Sequence, residues 1–550
     1  MKRAAGEWLG WFGFAALLTA PAWTRGQLLG HPDVDVWNHV WGLWWWADSL
    51  ARGSLPWHSA LFAHPGGGTL WFADPLGALA VLPLTLAAGP VLAWNTLLLG
   101  RVAWAGFQAR RFAATVGADG PHTLLAGVAF ATSPYLLSEL HNGISEVCAV
   151  GWVPLVLTEW LLAVRGGGVR GWLRAGLALG LTAWATPYYA LGLGLLLVPA
   201  TLLALRGSWA AWRAAVPGLV VAALLGAGVV GVWRAALAAP DAVIQRDEAS
   251  ESSLMRHNAV DLREPFLPGD FRSVDYAAEY GGEQFRHSVA LRLSVILLVV
   301  VAAWRRPRAV LPWVALLLLA LSLGLGTRPF LAGRYVGPEG LRLPFGWLVE
   351  VVPGLAITHP ARLAVAAHAI AAALLADALR DRGRRAWVVL PFLLGETLAW
   401  SASPWPLAGA PAAIPAVYRE IAADPDPRGV LDLPAQVRRT MATSVYFWFQ
   451  TAHGHPVPWW PNVRTDDNGD GAVVRTFIPP RAAAGSRPRF VPLDAAALAR
   501  LRERYGWVVV HPDLDRLTQS SGESTRVLTL ALGEPDARDG LLVWRLPQGY

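Results

Sequence analysis

Cysteine, lysine and charged residues in general are scarce in this 550-residue chain. The single cysteine, Cys148, excludes an intrachain disulfide bond and a metal site built from several cysteines. Lys2 is the only lysine, so arginine carries nearly all of the positive charge. Charged residues make up 15% of the chain, whereas soluble proteins contain about 25%. A disordered, disulfide-rich or ordinary cytoplasmic protein is therefore excluded.

Apolar residues are abundant, at 54% of the chain with a mean hydropathy of +0.38. The remaining charge is unevenly distributed, because residues 404–550 hold 31 of the 85 Asp, Glu, Lys and Arg residues in 147 positions, or 21%. Residues 1–403 hold the other 54, or 13%. This contrast predicts an α-helical polytopic membrane region over 1–403, followed by a soluble domain over 404–550.

Long apolar runs in the first 403 residues predict the membrane-crossing helices. A crossing helix needs about 20 apolar residues, or fewer where neighbouring helices cover its ends. We interpret the first run as a retained span, since no small-residue cleavage site closes it. The short segment 75–88 is expected to dip into the membrane or to lie on its surface. On this basis we predict about eleven spans, at 6–25, 90–110, 121–138, 146–164, 171–186, 188–205, 214–237, 288–304, 309–326, 361–379 and 386–403.

Clusters of arginine, such as Arg110 and Arg111, lie in alternate loops between these spans. The positive-inside rule places such loops in the cytoplasm. The outside then receives the long loops 26–89 and 240–287 and the domain 404–550, and the ten acidic residues and five arginines of 240–287 agree with this side. The net charge of +7 forms no continuous basic stripe, so we predict a membrane-lipid partner and no nucleic acid. The expected location is the cytoplasmic membrane of a bacterium.

The C-terminal domain has a mixed α/β pattern. Short apolar runs bounded by Gly, Pro or Asp predict strands at 429–433, 507–511 and 541–545. Asp494 precedes an Ala/Leu run and is a good N-cap for a helix that extends to Arg504. We therefore expect an α/β domain outside the membrane.

The first outside loop has the clearest potential for chemistry. Asp33 and Asp35 precede the tryptophan-rich segment 36–46, which is typical of an amphipathic helix at the membrane surface. A carboxylate at that depth can act as a general base, or hold a divalent cation such as Mg²⁺ or Mn²⁺ against a lipid phosphate. Alternatively, Asp35 only caps the helix that begins at Val36.

The spacing of Asp35, Trp41 and the Trp44-Trp45 pair resembles the first-loop signature of GT-C-type membrane glycosyltransferases, and more narrowly that of a largely uncharacterised bacterial branch. Short motifs that continue the resemblance lie at 61–67, 74–76, 133–135, 343–345, 352–354, 360–362, 430–434 and 450–456.

The resemblance implies transfer of a sugar from a polyprenyl-phosphate-linked donor, on the outer face, to a lipid, glycan or protein. It also implies a catalytic acidic residue near the end of the first span. Asp35 matches this position. Asp33 forms an Asp-x-Asp pair with it, which either contributes to catalysis or to a metal site or is a chance pattern of the protein surface.

Other polar residues lie on the same predicted face. Glu139, His141 and Asn142, together with Glu146, are expected to bind donor, acceptor or a metal, or only to reach the lipid headgroups. His64 and His453 could contact substrate or pack within the outside region.

Arg362 matches the resemblance at the start of the tenth span, and its guanidinium fork suits a phosphate. His359, Arg328 and Arg334 are candidates for the same donor phosphate, although His359 departs from the resemblance, because relatives tend to have arginine there. Arg328 and Arg334 break the positive-inside rule, which an anionic lipid ligand would explain, as would a loop short enough to be tolerated. Arg101 falls within the second span, where an arginine is costly, and the sequence identifies no partner for it.

Three functions fit these observations. A glycosyltransferase is favoured, because polar residues gather near the outside ends of the spans. A transporter or flippase for lipid-linked saccharides should show polar residues through to the cytoplasmic side. A non-catalytic assembly protein with the same fold would not depend on Asp35. Protein partners stay unknown at this level.

Overall fold

The computed structural model describes residues 2–118, 120–244, 248–267, 269, 284–338, 340–403, 405–437, 441–460, 473–478 and 489–547. Within the predicted outside loop 240–287, residues 245–247, 268 and 270–283 lie outside this described part.

Helices dominate the described residues up to position 403. The helices of the membrane region are α1 (Lys2–Leu18), α2 (Ala20–Thr24), α3 (Val36–Ala51), α4 (Pro75–Ala88), α5 (Pro90–Val116), α6 (Thr123–Ala131), α7 (Pro134–Asn142), α8 (Trp152–Val164), α9 (Gly168–Ala185), α10 (Pro187–Leu205), α11 (Trp209–Leu237), α12 (Glu248–His257), α13 (Leu293–Arg305), α14 (Pro307–Gly324), α15 (Pro344–Val351), α16 (Val365–Ala378) and α17 (Val389–Trp400). Short 3-10 helices lie at Glu146–Cys148, Pro353–Leu355, Pro360–Ala364 and Gly383–Val388.

The C-terminal region contains α18 (Ala416–Ala423), α19 (Val445–His453), α20 (Ala495–Arg504), α21 (Pro512–Asp515) and α22 (Glu523–Leu532), with 3-10 helices at Ala442–Ser444 and Val474–Phe477. The strands are β1 (Gln27–Leu29), β2 (His58–Ser59), β3 (Gly68–Thr69), β4 (Phe330–Leu331), β5 (Arg334–Tyr335), β6 (Gly409–Pro411), β7 (Gly429–Leu433), β8 (Tyr505–Val510), β9 (Asp536–Arg538) and β10 (Leu541–Arg545).

The membrane region is a bundle with a buried centre. The apolar stretches of Thr123–Asn142 and Pro360–Ala378 are 94% and 100% buried. The apolar stretch of α11 is only 17% buried, and its exposed leucine and valine side chains are typical of a helix that faces lipid. Shorter apolar helices are α4, α8 and α13. By length and composition, five helical segments of the described residues are able to cross a membrane, namely Thr123–Asn142, α10, α11, α14 and Pro360–Ala378. The larger number of about eleven spans stays a prediction.

Two predicted segments differ in detail from the observed helices. The first predicted span, 6–25, is two helices, α1 and α2, separated at Thr19, and Pro21 lies in the first turn of the second, where its missing N–H costs nothing. The segment 75–88 is the regular helix α4, and Gly89, at φ +82°, joins it to α5. Whether α4 crosses the membrane stays a prediction.

The C-terminal sheet has the strand order β7-β8-β10-β9, with β7 and β8 parallel and the other pairs antiparallel. The predicted strands at 429–433 and 541–545 are confirmed, and the middle strand begins two residues earlier than predicted, at Tyr505. The Asp494 side chain accepts from the Ala497 N–H at 2.7 Å, which confirms its N-cap role. A second connection pairs β1, after the first helices, with β6, so the boundary at 404 remains a prediction.

Arg101, whose partner the sequence did not identify, forms a buried ion pair with Asp74. Its Nη2 atom donates to both carboxylate oxygens of Asp74, at 2.7 and 2.8 Å, and its Nη1 atom donates to the carbonyl of Ser145. Asp74 is fully buried and also accepts from the Gly77 N–H at the start of α4. Arg101 therefore joins α4, α5 and the turn that contains Ser145.

The substitution Arg101→Met is expected to lower the free energy of unfolding by about 3–5 kcal/mol, because it leaves Asp74 as a buried charge without its cation. Denaturant unfolding in detergent micelles measures this loss. The double variant Arg101→Met/Asp74→Asn should recover part of the stability, since neither charge then remains. An equal or larger loss in the double variant would contradict the assignment.

Candidate active site

Asp35 lies at the N-cap position of α3, but its side chain makes no capping hydrogen bond. Asp35 is half-buried as a residue, and its Oδ1 atom accepts a long hydrogen bond from Asn38 Nδ2 at 3.4 Å. The Asp35 main-chain N–H donates to the carbonyl of Asn142 at 3.2 Å, which fixes the turn. Helix capping therefore does not use the carboxylate, which stays available for chemistry.

Asp33 lies in the same turn and is half-buried. Its main-chain N–H donates to His31 Nδ1 at 3.2 Å, and its carbonyl accepts from the Met441 N–H at 3.2 Å. Main-chain hydrogen bonds with two distant segments thus fix this turn, one with Asn142 at the end of α7 and one with Met441 in the C-terminal region.

His39 lies one helical turn after Asp35, and sequence reasoning did not select it. Its Nδ1 atom is 3.2 Å from Ser145 Oγ and 3.5 Å from Glu146 Oε2. Burial lowers the pKa of His39 to about 4, although the charges of Asp35 and Asp74 act in the opposite direction. The imidazole is therefore neutral at physiological pH. The i, i+4 spacing from Asp35 was the signal that could have found it.

Glu139, His141 and Asn142 end α7 beside this turn, and all three are buried. Asn142 Nδ2 donates to Glu139 Oε2 at 3.2 Å and to the Arg286 carbonyl at 2.7 Å, and its Oδ1 accepts from the Arg286 N–H at 2.7 Å. His141 Nε2 lies 2.9 Å from the Gln284 carbonyl. The amide of Asn142 and the imidazole of His141 thus bind main chain, whereas Glu139 adds a carboxylate to the site.

Arg362 is buried in the 3-10 helix Pro360–Ala364, with its guanidinium carbon 4.5 Å from the centre of the Tyr188 ring. Within the described residues its side chain makes no hydrogen bond and no ion pair within 4.0 Å. Asp35, Glu139 and Glu146 interact with it electrostatically from further away. A buried guanidinium with unused donors is costly unless a ligand supplies acceptors. The arrangement can therefore bind an anionic oxygen group.

The environment of Asp35 favours proton transfer. Burial raises the pKa of its carboxyl group, and the nearby charge of Glu146 raises it further. His39, Asn38 and Arg362 act in the opposite direction but do not reverse the shift. A carboxylate with a raised pKa is a stronger base than an ordinary aspartate, as a general base at the membrane surface requires.

The structure also shows the surroundings of four other residues selected from the sequence. His64 Nε2 lies 3.1 Å from the Arg504 carbonyl, and its ring contacts Tyr505. His453 is buried against Tyr418. Both histidines thus contact groups of the C-terminal region, and their contact with substrate stays a prediction. Arg328 and Arg334 are exposed, and their assignment to the donor phosphate stays a prediction.

His359, the departure from the family pattern, lies beside Arg362 in the chain and is half-buried. Its Nδ1 atom is 2.8 Å from Thr358 Oγ1, and its ring is 6.2 Å from that of Tyr188, the ring under Arg362. His359 thus borders the aromatic side of the Arg362 guanidinium. A direct bond to donor phosphate stays a prediction.

A divalent cation at Asp33 and Asp35 also stays a prediction. In the described ranges, no group of three or more His, Cys, Asp or Glu side chains is arranged to hold a metal ion. No chemical step below uses a metal ion.

The sequence matches no model of a known protein family and no curated protein. The fold is similar to that of ArnT from Cupriavidus metallidurans in the apo state, with a TM-score of 0.50 and 15% identity over 98% of both chains. Arabinofuranosyltransferase AftD from Mycobacteria gives a TM-score of 0.49 and 18% identity over 92% of this chain, which spans only 36% of AftD. The oligosaccharyltransferase of Archaeoglobus fulgidus gives 0.49 and 13% identity over 92% of this chain and 70% of that one.

The similarity to ArnT extends over nearly the whole of both chains, and at 15% identity it shows the fold alone. It agrees with the helical bundle described above. The chain is therefore an α-helical polytopic membrane protein with the fold of the GT-C glycosyltransferases.

Proposed function

We propose that this protein is a membrane glycosyltransferase that moves a sugar from a polyprenyl-phosphate-linked donor to an extracytoplasmic acceptor. The observation that carries the proposal is the buried guanidinium of Arg362, which has no hydrogen bond or ion pair within the described residues and interacts electrostatically with Asp35, Glu139 and Glu146. A phosphate that bears the leaving group needs such a cation, and an acceptor hydroxyl needs such a carboxylate. The GT-C fold supports the same assignment.

The donor phosphate would accept hydrogen bonds from the guanidinium fork of Arg362. Two parallel N–H···O bonds fix the orientation of a phosphate as well as its position. The Tyr188 ring, stacked at 4.5 Å, holds the guanidinium plane. The lipid chain would lie along apolar helices of the bundle.

In the transfer step, Asp35 would accept the proton of the acceptor hydroxyl. The hydroxyl oxygen forms the new bond to the anomeric carbon as the bond from that carbon to the phosphate oxygen breaks. The electron pair of the broken bond stays on the lipid phosphate, where Arg362 stabilises the charge. Attack from the face opposite the leaving group inverts the anomeric configuration. We place the site outside the cytoplasmic membrane, because the predicted arginine-rich loops lie on the other side.

Release of free lipid phosphate from the donor is expected of a glycosyltransferase and of neither alternative function. The purified protein in lipid nanodiscs is incubated with a panel of undecaprenyl-phosphate-linked sugars, and free undecaprenyl phosphate is followed by mass spectrometry. ArnT from Cupriavidus metallidurans has been solved with undecaprenyl phosphate bound, which makes this carrier the first to test. We expect release for at least one donor. A flippase would move the donor across the bilayer without breaking its sugar–phosphate bond, and an assembly protein would do neither.

A further inference from the structure

The helix that begins after Asp35 is fastened to the C-terminal region by one buried amide. Trp41 Nε1, in α3, donates to Gln450 Oε1, in α19, at 2.8 Å. Gln450 Nε2 donates to the carbonyls of Leu61 and His455, the latter at 3.0 Å. Gln450 is fully buried, and 409 residues separate it from Trp41. Each of its polar atoms therefore ties the first outside loop to the C-terminal region.

The same region reaches the start of α3. Asn38 Nδ2 lies 3.4 Å from both Asp35 Oδ1 and Ser444 Oγ, so this buried amide lies between the candidate catalytic carboxylate and the C-terminal chain. The Met441 N–H donates to the carbonyl of Asp33 at 3.2 Å. Contacts from residues 441–444 thus border the turn that presents Asp35.

Main-chain bonds and aromatic contacts extend this junction. The Val457 N–H donates to the Leu61 carbonyl at 2.8 Å, and the His64 N–H donates back to the Val457 carbonyl at 3.0 Å. The Trp41 ring also packs edge-on against Phe447 with 5.5 Å between centroids. The first loop and residues 441–460 therefore form one packed unit, although they lie at opposite ends of the chain.

We infer that Gln450 is a positioning residue for the site, since its hydrogen bonds fix α3 and thereby the place of Asp35 relative to Arg362. An unmade hydrogen bond in such a buried place costs about 1–3 kcal/mol, and a displacement of about 1 Å can cost about 100-fold in rate. The inference rests on the proposed function in one respect, namely that Asp35 is the catalytic residue. Residues 441–460 then serve the membrane site and not a separate soluble domain.

Hydrogen–deuterium exchange of the full chain in nanodiscs tests this positioning without a turnover assay. Gln450→Leu keeps the volume of the side chain but removes the hydrogen-bond partner of the Trp41 N–H and of the His455 carbonyl, and it leaves the Leu61 carbonyl with the Val457 N–H alone. We expect the amides of residues 36–45 to exchange about 10-fold faster than in the wild type. The matched control is Gln108→Leu, since Gln108 is equally buried but lies in α5 near the predicted cytoplasmic end and contacts Arg111. It should leave residues 36–45 unchanged.

Gln450→Glu separates hydrogen bonding from packing. At pH 5.5 a buried carboxyl group keeps its proton, so it offers one acceptor for Trp41 and one donor for a carbonyl. We expect exchange in residues 36–45 to return to within about threefold of the wild type. Equal exchange in the Leu and Glu variants would mean that packing alone matters and would overturn the inference. Faster exchange of residues 36–45 in the Gln108→Leu control as well would also overturn the inference.

Two further measurements keep the outcome unambiguous. If Gln450→Leu does not fold, Ser444→Ala removes only the contact to Asn38, and unchanged exchange in residues 33–39 would overturn the role of residues 441–444. Undecaprenyl phosphate binding to each variant, followed by native mass spectrometry, should stay within about twofold of the wild type, because Arg362 lies on other elements. Failure of the wild type to bind this lipid would count against the proposed function, whereas the exchange data would still decide the positioning of α3.

Discussion

Replacing Asp35 with asparagine is expected to lower the rate of sugar transfer by about 10²–10⁴-fold, the usual contribution of a general base. Asparagine keeps the size of the side chain but cannot accept the proton of the acceptor hydroxyl. The measurement is the release of undecaprenyl phosphate from a polyprenyl-phosphate-linked sugar by the purified variant. Binding of the lipid itself should change little, because the phosphate contacts assigned to Arg362 remain.

Asp48→Asn provides the matched control for this substitution. Asp48 lies further along the same helix, α3, and pairs with the exposed Arg52 at 2.8 Å. A surface pair of this kind contributes little to stability, so Asp48→Asn should keep the rate within about twofold of the wild type. A rate for Asp35→Asn that equals that of the control would exclude Asp35 as the base.

The same substitution should not destabilise the protein at pH 8. Because burial raises the pKa of Asp35 in the folded state, its ionised form costs stability. The stability associated with protonated Asp35 is fully present below its unfolded pKa and is lost as the pH rises through its folded pKa. Asp35→Asn should therefore melt at the same or a higher temperature than the wild type at pH 8, and the difference should shrink towards pH 4. A lower melting temperature at pH 8 would mean that Asp35 is a structural residue.

Replacing Arg362 with methionine is expected to weaken binding of undecaprenyl phosphate by about 10–100-fold, since a hydrogen bond to a charged group contributes about 1.5–3 kcal/mol. Arg362→Lys should lie between the wild type and the methionine variant, because lysine keeps the charge but loses the fork. The dissociation constant is measured by titration in native mass spectrometry.

Arg328→Met is the control for this second series. Arg328 is exposed, and the sequence had assigned it to the same donor phosphate as Arg362. Its replacement should leave the dissociation constant within about twofold of the wild type. Equal losses in the two methionine variants would show that general positive charge, and not the buried guanidinium, binds the lipid.

The sequence predicted those features that depend on local pattern. Asp494 was identified as a helix N-cap and the strand at 541–545 was located correctly, because capping and apolar alternation are read within a few residues. The GT-C fold was expected from the resemblance to this family of the first loop, with Asp35 and Trp41, and of short motifs along the chain. Such signals do not depend on how distant segments pack.

Features that depend on distant contacts could not be predicted. Arg101 meets Asp74 only because α4 and α5 form a tight hairpin, and His39 meets Glu146 across 107 residues. For His64, sequence could not decide whether the imidazole faces a cavity or a main-chain carbonyl. The pairing of Gln450 with Trp41 could not be predicted either, because it depends on how two distant segments pack.

Native mass spectrometry of the wild type, Asp35→Asn and Arg362→Met, purified in parallel, tests most directly whether Asp35 and Arg362 form one transfer site. We expect a polyprenyl phosphate on the wild type, its sugar-bearing form enriched on Asp35→Asn, and little of either on Arg362→Met. If all three proteins carry only ordinary phospholipids and also fail to bind added undecaprenyl-phosphate-linked sugars, the transferase assignment is contradicted.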